Sequence, residues 1–235
     1  MNIAIITARG GSKRIPHKNI KDFCGKPILA YSIEAALDSG VFDEIMVSTD
    51  SEEIAEIAKR FGAKVPFFRS DENSNDYSTT VQVLLEVLTA YENKGCKFDQ
   101  MCCLYPTAPF VTAKKIREAL SLMQQSQADA VVPIVRFSFP PQRAFVLEEG
   151  LLRYQYPQYE KARSQDLQVI YHDCGQFYWC KTDALQKYES LIVPNTVGFV
   201  VPEEEVQDID TPSDWHIAEM KFRRMKESAD NDEIG

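Results

Sequence analysis

Along this chain, short apolar runs alternate with longer stretches of helical period, and that rhythm leaves few architectures open. "NIAIIT" (2–7), "EIMVST" (44–49), "KVPFFR" (64–69), "QMCCLY" (100–105), "DAVVPIVRF" (129–137), the start of "FYWCKTDALQKY" (177–188) and "VGFVVP" (197–202) read as strands. The segments between them read mostly as helices, which predicts an α/β fold of β-α-β units around a mostly parallel twisted sheet. In "KPILAYSIEAALDSG", Ile28, Leu29, Ile33, Ala36 and Leu37 fall on one face, Pro27 suits the first turn and Gly40 the C-terminal cap.

Asp50 and Ser51 are capping candidates for "SEEIAEIAKRFG", and "SDENSNDYSTT" (70–80) is polar and long enough for a binding loop. Around residue 138 the rhythm breaks. The stretch 138–165 is rich in Pro, Tyr and Arg and predicts a small inserted lobe within a main domain spanning 1–227, with 228–235 a flexible tail. Its aromatics, Phe139, Phe145, Tyr154, Tyr156 and Tyr159, suit either an interface or packing within the chain.

Directly after the first strand comes "ARGGSKRIPHKNI" (8–20), with Arg9, Lys13, Arg14 and Lys18 around Gly10 and Gly11. The carboxyl end of a strand beside a following helix is where α/β sheets bind ligands. Glycines let the backbone approach a ligand and present N–H groups, and the basic side chains neutralise phosphate oxygens. This local field stands against a chain with 26 Lys plus Arg, 35 Asp plus Glu and a net charge of −9. Such a balance disfavours general binding to nucleic acid or anionic membranes.

"RGGSK" is neither GxxxxGK[ST] nor GxGxxG, and Asp50 stands 39 or 40 residues past the glycines, not about 20, so P-loop ATPases and NAD-dependent oxidoreductases are poor matches. The three histidines form no HExxH, and neither GxSxG nor a Cys–His arrangement supports a hydrolase. Six cysteines without CxxC spacing, and an opening without a charged n-region or long h-region, predict reduced thiols in a cytoplasmic protein.

A second constellation lies in "QDIDTPSDW". Asp208 and Asp210, one residue apart in or next to a strand, point to the same side. Two carboxylates on one side repel unless a cation lies between them. Mg2+ typically takes one or two carboxylates plus waters and substrate phosphates, so the pair complements the basic loop. Asp214 has a plainer role, because Thr211 suits the N-cap, Pro212 the first turn and Asp214 the acid of a capping box.

In order and spacing, "ARGGSKRIPHKNI", "STD", "FFRSDENSNDYSTT", "LYPTAPF", "GQFYW" and "DIDTPSDW" resemble the CMP-sialic acid synthetase (acylneuraminate cytidylyltransferase) family over most of the chain. Within it, "ARGGSKRIPHKNIKDFCGKPILAYSIEAAL" and "YHDCGQFYW" look most like the branch acting on pseudaminic acid. The resemblance implies a Rossmann-like nucleotidyltransferase fold. It implies transfer of CMP from CTP to a nonulosonic acid with release of pyrophosphate, dependence on Mg2+ or Mn2+, and a homodimer in which the inserted lobe reaches the partner's sugar site. The product would serve surface glycan or flagellin glycosylation.

The same resemblance places Ala8, Arg9, Gly11, Ser12, Lys13, Lys18, Asn19, Arg69 and Thr80 on the nucleotide and makes Asp208 and Asp210 the metal carboxylates. Arg9, Lys13 and Lys18, with the two aspartates, would carry the chemistry. On the sugar side it points to Tyr105, Thr107, His172, Asp173, Gln176 and Tyr178. There the chain departs from the neuraminic pattern: Tyr105 to Val111 replaces Gln-Pro-Thr-Ser-Pro-Leu-Arg, and His172 to Gly175 replaces Arg-x-Asn-Gly. These changes suit a sugar with fewer hydroxyl partners and more apolar surface. The same reaction on a neuraminic, legionaminic or eight-carbon keto-sugar acid, or a nucleotide-sensing module without chemistry, are the competing readings.

Overall fold

A computed structural model describes the backbone of residues 1–232 and the side chains of residues 1–227. In chain order its elements are β1 (Asn2–Thr7), a minute hairpin of β2 (Asp22–Phe23) and β3 (Lys26–Pro27), α1 (Ile28–Ser39), β4 (Glu44–Ser48), α2 (Glu52–Arg60), α3 (Thr80–Glu92), β5 (Gln100–Leu104), α4 (Ala113–Gln125) and β6 (Ala130–Arg136). There follow β7 (Phe145–Glu148), β8 (Leu151–Tyr154), β9 (Tyr171–Asp173), β10 (Phe177–Lys181), α5 (Thr182–Tyr188), β11 (Thr196–Val200) and α6 (Pro212–Asp232).

The central sheet has seven strands in the order β11-β6-β10-β5-β1-β4, with β9 added beside β6. β4, β1 and β5 pair in parallel, as do β6 and β11, whereas β10 runs antiparallel between β5 and β6, and β9 antiparallel to β6. The expected α/β architecture with a mostly parallel sheet is therefore present. Two apolar clusters cover the sheet, one built on Ile6, Leu29, Leu104, Ile116 and Trp179, the other on Ile5, Leu84, Met101, Cys103 and Leu185. Strands covered on both faces read as continuous apolar runs, which is why "NIAIIT" and "QMCCLY" show no alternation.

Several local expectations change. "KVPFFR" forms no strand; only an isolated bridge joins Lys64 to Met46. Pro66 has no N–H to continue a ladder, and the segment instead carries Arg69 under the site. In α1, Gly40 takes the left-handed cap as expected (φ 66°), but Pro27 is the capping residue itself and Leu37 lies 41% exposed, off the buried face. Ser51, not Asp50, caps α2 by accepting from the Ile54 N–H. Asp208 and Asp210 lie outside any strand. Thr211 and Asp214 form the capping box, with Asp214 Oδ2 accepting from Thr211 N at 2.7 Å and Thr211 Oγ1 from Asp214 N at 3.3 Å.

The stretch 138–165 holds the β7–β8 hairpin, a sheet of its own. Helix α6 runs through residues 228–232 of the expected tail; residues 233–235 lie outside the described ones. Among the described residues no helix is long and apolar enough to cross a membrane.

Candidate active site

The basic loop leaves β1 at Thr7 and folds against the start of α2. Gly10 N–H donates to Asp50 Oδ1 at 2.7 Å, and a Cβ on Gly10 would stand 3.2 Å from the Ser51 Cβ, so glycine permits this close approach. Gly11 has open space around it. Asn19 is buried and donates from Nδ2 to the Arg9 carbonyl at 2.8 Å, closing the loop on itself. Ile15 turns inward into a small cluster with Phe23, Phe110, Ile209, Trp215 and Phe222.

That cluster is the hinge of the site, because Ile209 stands between the two aspartates. Its side chain is 1% exposed, while Asp208 is exposed and Asp210 half-buried. With Ile209 buried between them, the two flanking carboxylates stay accessible. Arg14 Nη1 donates to Asp210 Oδ2 at 2.8 Å, and Lys18 Nζ donates to the Ile209 carbonyl at 2.8 Å with Asp210 Oδ1 3.6 Å away. Basic loop and acidic segment thus meet directly.

Between β1 and α3 opens a cleft of about 810 Å3, within the ordinary range for small-molecule sites. Of the residues singled out in the sequence, Arg9, Ser12, Lys13, Lys18, Asn19, Arg69, Thr80, Tyr105 and Thr107 line it. Arg69 is buried, donating from Nε to Ser48 Oγ at 3.1 Å and from Nη2 to the Ser48 carbonyl at 2.7 Å; burial pulls the guanidinium below its ordinary value, and Asp50 opposes that. Thr80 opens α3 and its hydroxyl lies 3.4 Å from the Tyr105 hydroxyl.

Other expected residues lie elsewhere. Ala8 is fully buried and donates its N–H to the Ser48 carbonyl at 2.9 Å. Tyr178 is buried behind Tyr105, ring centroids 5.4 Å apart, and donates to Asp173 Oδ2 at 2.6 Å; burial, the Tyr105 hydroxyl and Asp173 hold its phenol well above the ordinary range. Gln176 is buried and its Nε2 donates to the Glu205 carbonyl at 2.6 Å. His172 lines a separate cavity of about 180 Å3 together with Asp208 and Arg136. Phe110 and Val111 are buried in the core, so the apolar residues at these two positions do not line the cleft.

Three residues escaped the sequence reading of the site. Arg14 adds to the loop's charge in sequence, and no motif marks it as the partner of Asp210. Asp50, read as a cap, anchors Gly10. Asp76, in the polar loop 70–80, accepts from Arg9 Nη1 at 2.6 Å and pairs with Lys13. Lys13 first, then Arg9, holds the Asp76 carboxyl below the usual carboxylate range. The only signal for Asp76 was an acidic residue in a loop too long for a turn.

A family model described as cytidylyltransferase matches residues 3–189. The chain belongs to the cytidylyltransferase family. It is accordingly an enzyme of the nucleotidyltransferase class. Pseudaminic acid cytidylyltransferase of Campylobacter jejuni subsp. jejuni serotype O:23/36 (strain 81-176) is 42% identical over 229 residues, covering 97% of this chain and 99% of that one. CMP-N,N'-diacetyllegionaminic acid synthase of Legionella pneumophila is 32% identical over 226 residues, covering 92% and 94%. Among solved structures, a CMP:2-keto-3-deoxy-manno-octonic acid synthetase complexed with CTP superposes with a TM-score of 0.70 at 19% identity, covering 95% of this chain and 99% of that one. A 4-diphosphocytidyl-2C-methyl-D-erythritol synthase from Anaerococcus prevotii superposes with a TM-score of 0.63 at 15% identity, covering 94% and 98%. At those identities the likeness establishes the nucleotidyltransferase fold.

Proposed function

We propose that this cytidylyltransferase transfers CMP from CTP to a nonulosonic acid, pseudaminic acid, with release of pyrophosphate, and so supplies the activated sugar for surface glycan or flagellin glycosylation. The observation that carries the reading is the meeting of the basic loop with Asp210 at the rim of the cleft, in a chain 42% identical to a pseudaminic acid cytidylyltransferase. Arg9, Ser12, Lys13 and Lys18 hold the triphosphate, and Arg69 and Thr80 flank the nucleotide. The anomeric hydroxyl of the sugar acid attacks the α-phosphorus in line. The P–O bond to the β-phosphate breaks, and pyrophosphate leaves into the field of the basic loop. Phosphoryl-type transfer depends chiefly on positioning and charge stabilisation, which these residues supply.

A divalent cation, Mg2+ or Mn2+, fits the donor set. The Asp208 carboxylate has no hydrogen bond or ion pair among the described residues, and Asp210, two residues on, pairs with Arg14 and Lys18. No group of three or more His, Cys, Asp or Glu able to hold a metal occurs among the described residues. Two carboxylates alone suit an ion that completes its shell with water and substrate phosphate oxygens. When bound, the ion would supply charge neutralisation at the phosphate.

The sugar acid lies on the Tyr105 and Thr107 side, toward His172 and Asp208. The β7–β8 hairpin supports the homodimer: its register puts Phe145, Leu147, Leu152 and Tyr154 on one face, with Leu147 72% and Leu152 63% exposed. An isolated two-stranded sheet is marginal in water and gains most from a partner surface. Sedimentation of wild type against Leu152→Arg checks this; a wild type that sediments as one chain overturns the dimer.

The deciding experiment for the reaction is pyrophosphate release with CTP against the other nucleotides, across pseudaminic, legionaminic, neuraminic and eight-carbon keto-sugar acids. Preference for CTP with pseudaminic acid is expected, and Asp210→Ala should abolish cation-dependent turnover. Near-normal release by that variant would sink the assignment of the acidic pair.

A further inference from the structure

Lys115 sits where a lysine is least at home. It lies in the first turn of α4, at the positive end of the helix dipole, and it is 8% exposed. Its ammonium donates to the Phe110 carbonyl at 2.8 Å and pairs with Glu205 Oε2 at 2.6 Å. Burial pulls the ammonium below its ordinary value, and the Glu205 hydrogen bond pulls it back up.

Neither partner lines the cleft, but each lies in a segment that reaches the site. Phe110 ends the loop whose Pro106 and Thr107 line the cleft. Glu205 closes the short turn Glu203–Glu205, three residues before Asp208. The same turn is gripped from two further sides: Gln176 Nε2 on the Glu205 carbonyl at 2.6 Å, and Lys221 Nζ on the Val206 carbonyl at 2.7 Å. Replacing a buried ion pair by apolar residues of similar volume is often neutral or stabilising, so stability alone is a weak reason for this one. What the pair does fix is a distance, that between the sugar-side loop and the segment carrying the acidic residues.

We infer that Lys115, acting through Glu205, is a positioning residue for the transfer reaction, setting the Asp208–Asp210 segment against the loop 106–110. This rests on the function proposed above.

The test compares Lys115→Met and Glu205→Gln with wild type in the full chain. Three quantities are read: kcat with CTP and pseudaminic acid, CTP affinity by calorimetry without metal, and Mn2+ occupancy in the presence of CTP by electron paramagnetic resonance. Loss of an outer-shell support typically costs ~10–100-fold in metal affinity or activity, and that range is expected for kcat and Mn2+ occupancy together. Metal-free CTP affinity is expected to stay at the wild-type value. A lower melting temperature with wild-type kcat and Mn2+ occupancy would make the pair a structural one and overturn the inference. Should Lys115→Met fail to fold, Glu205→Gln, which keeps the shape, decides. A wild type without CTP-dependent turnover would refute the proposed function instead, and Mn2+–CTP occupancy would still test the Lys115–Glu205 pair.

Discussion

Ile209 offers a direct way to separate packing from chemistry in this site. Its side chain is 1% exposed and shares a cluster with Ile15 of the basic loop, Phe110, Trp215 and Phe222. Ile209→Ala removes the ethyl and γ-methyl carbons; at about 0.8 kcal/mol per buried carbon the transfer loss is about 2.4 kcal/mol, and the cavity left behind raises it to about 3 kcal/mol. For a chain of this size that corresponds to a fall of about 6–12 °C in Tm. Ile209→Val removes one carbon and costs about 1 kcal/mol. The alanine variant also frees the backbone whose carbonyl receives Lys18 and whose neighbours are the two aspartates. Turnover should therefore fall by about tenfold or more in Ile209→Ala and stay near wild type in Ile209→Val, since small misplacements in an active site are that costly. Urea unfolding followed by circular dichroism gives the stability, and pyrophosphate release at a temperature where every variant is folded gives the activity. A stability loss near zero would show that the residue is not the anchor. A full stability loss with wild-type turnover would show that it packs without aiming the carboxylates.

Burial holds the Cys103, Cys174 and Cys180 thiols up at about 12, whereas an unfolded thiol ionises at about 8.5. Below that value both states carry the same protons; between roughly 8.5 and 12 the unfolded chain loses protons that the folded chain keeps, so stability falls across that window. A urea midpoint that stays flat from about pH 8.5 to 11 would contradict this. Arg69→Met removes two hydrogen bonds to Ser48, whose carbonyl keeps the Ala8 N–H, so at about 0.5–1.5 kcal/mol per bond stability falls by about 1–3 kcal/mol, and CTP binding should also weaken in calorimetry; unchanged CTP affinity would place Arg69 outside the nucleotide's reach. Asp76→Asn removes the carboxylate that engages Arg9 and Lys13, so CTP should bind more tightly, with the gain shrinking as salt rises. Weaker binding by that variant would mean that Asp76 helps to hold the nucleotide rather than competing with it.

How legible the site was in sequence depends on how local each signal is. The Gly40 cap of α1 and the Thr211–Asp214 box rest on contacts within a few residues, so residue type alone indicates them; β1 pairs with the distant β4 and β5, yet its cover on both faces makes it legible as a continuous apolar run. Strand direction has no such signature: an apolar run reads the same either way, and the antiparallel entry of β10 between β5 and β6 is visible only once the sheet is assembled. "KVPFFR" shows the converse, since its apolar residues suit a strand while Pro66 removes a ladder donor.

Charge complementarity went further than periodicity. A positive loop and a pair of aspartates in one chain point to each other without any knowledge of the fold, and Arg14 and Asp210 do meet across 196 residues. Which cation makes the bond was not legible, because residues 11–17 have no regular period to set which side chains turn inward. Ile15 settles it: once that side chain enters the cluster with Ile209, its neighbour Arg14 is left facing the acidic segment. The apolar pair Ile15 and Ile209 thus fixes the register in which the opposite charges meet. Exposed ion pairs contribute little by themselves, so the packing between the two halves, rather than their attraction, determines where the carboxylates stand.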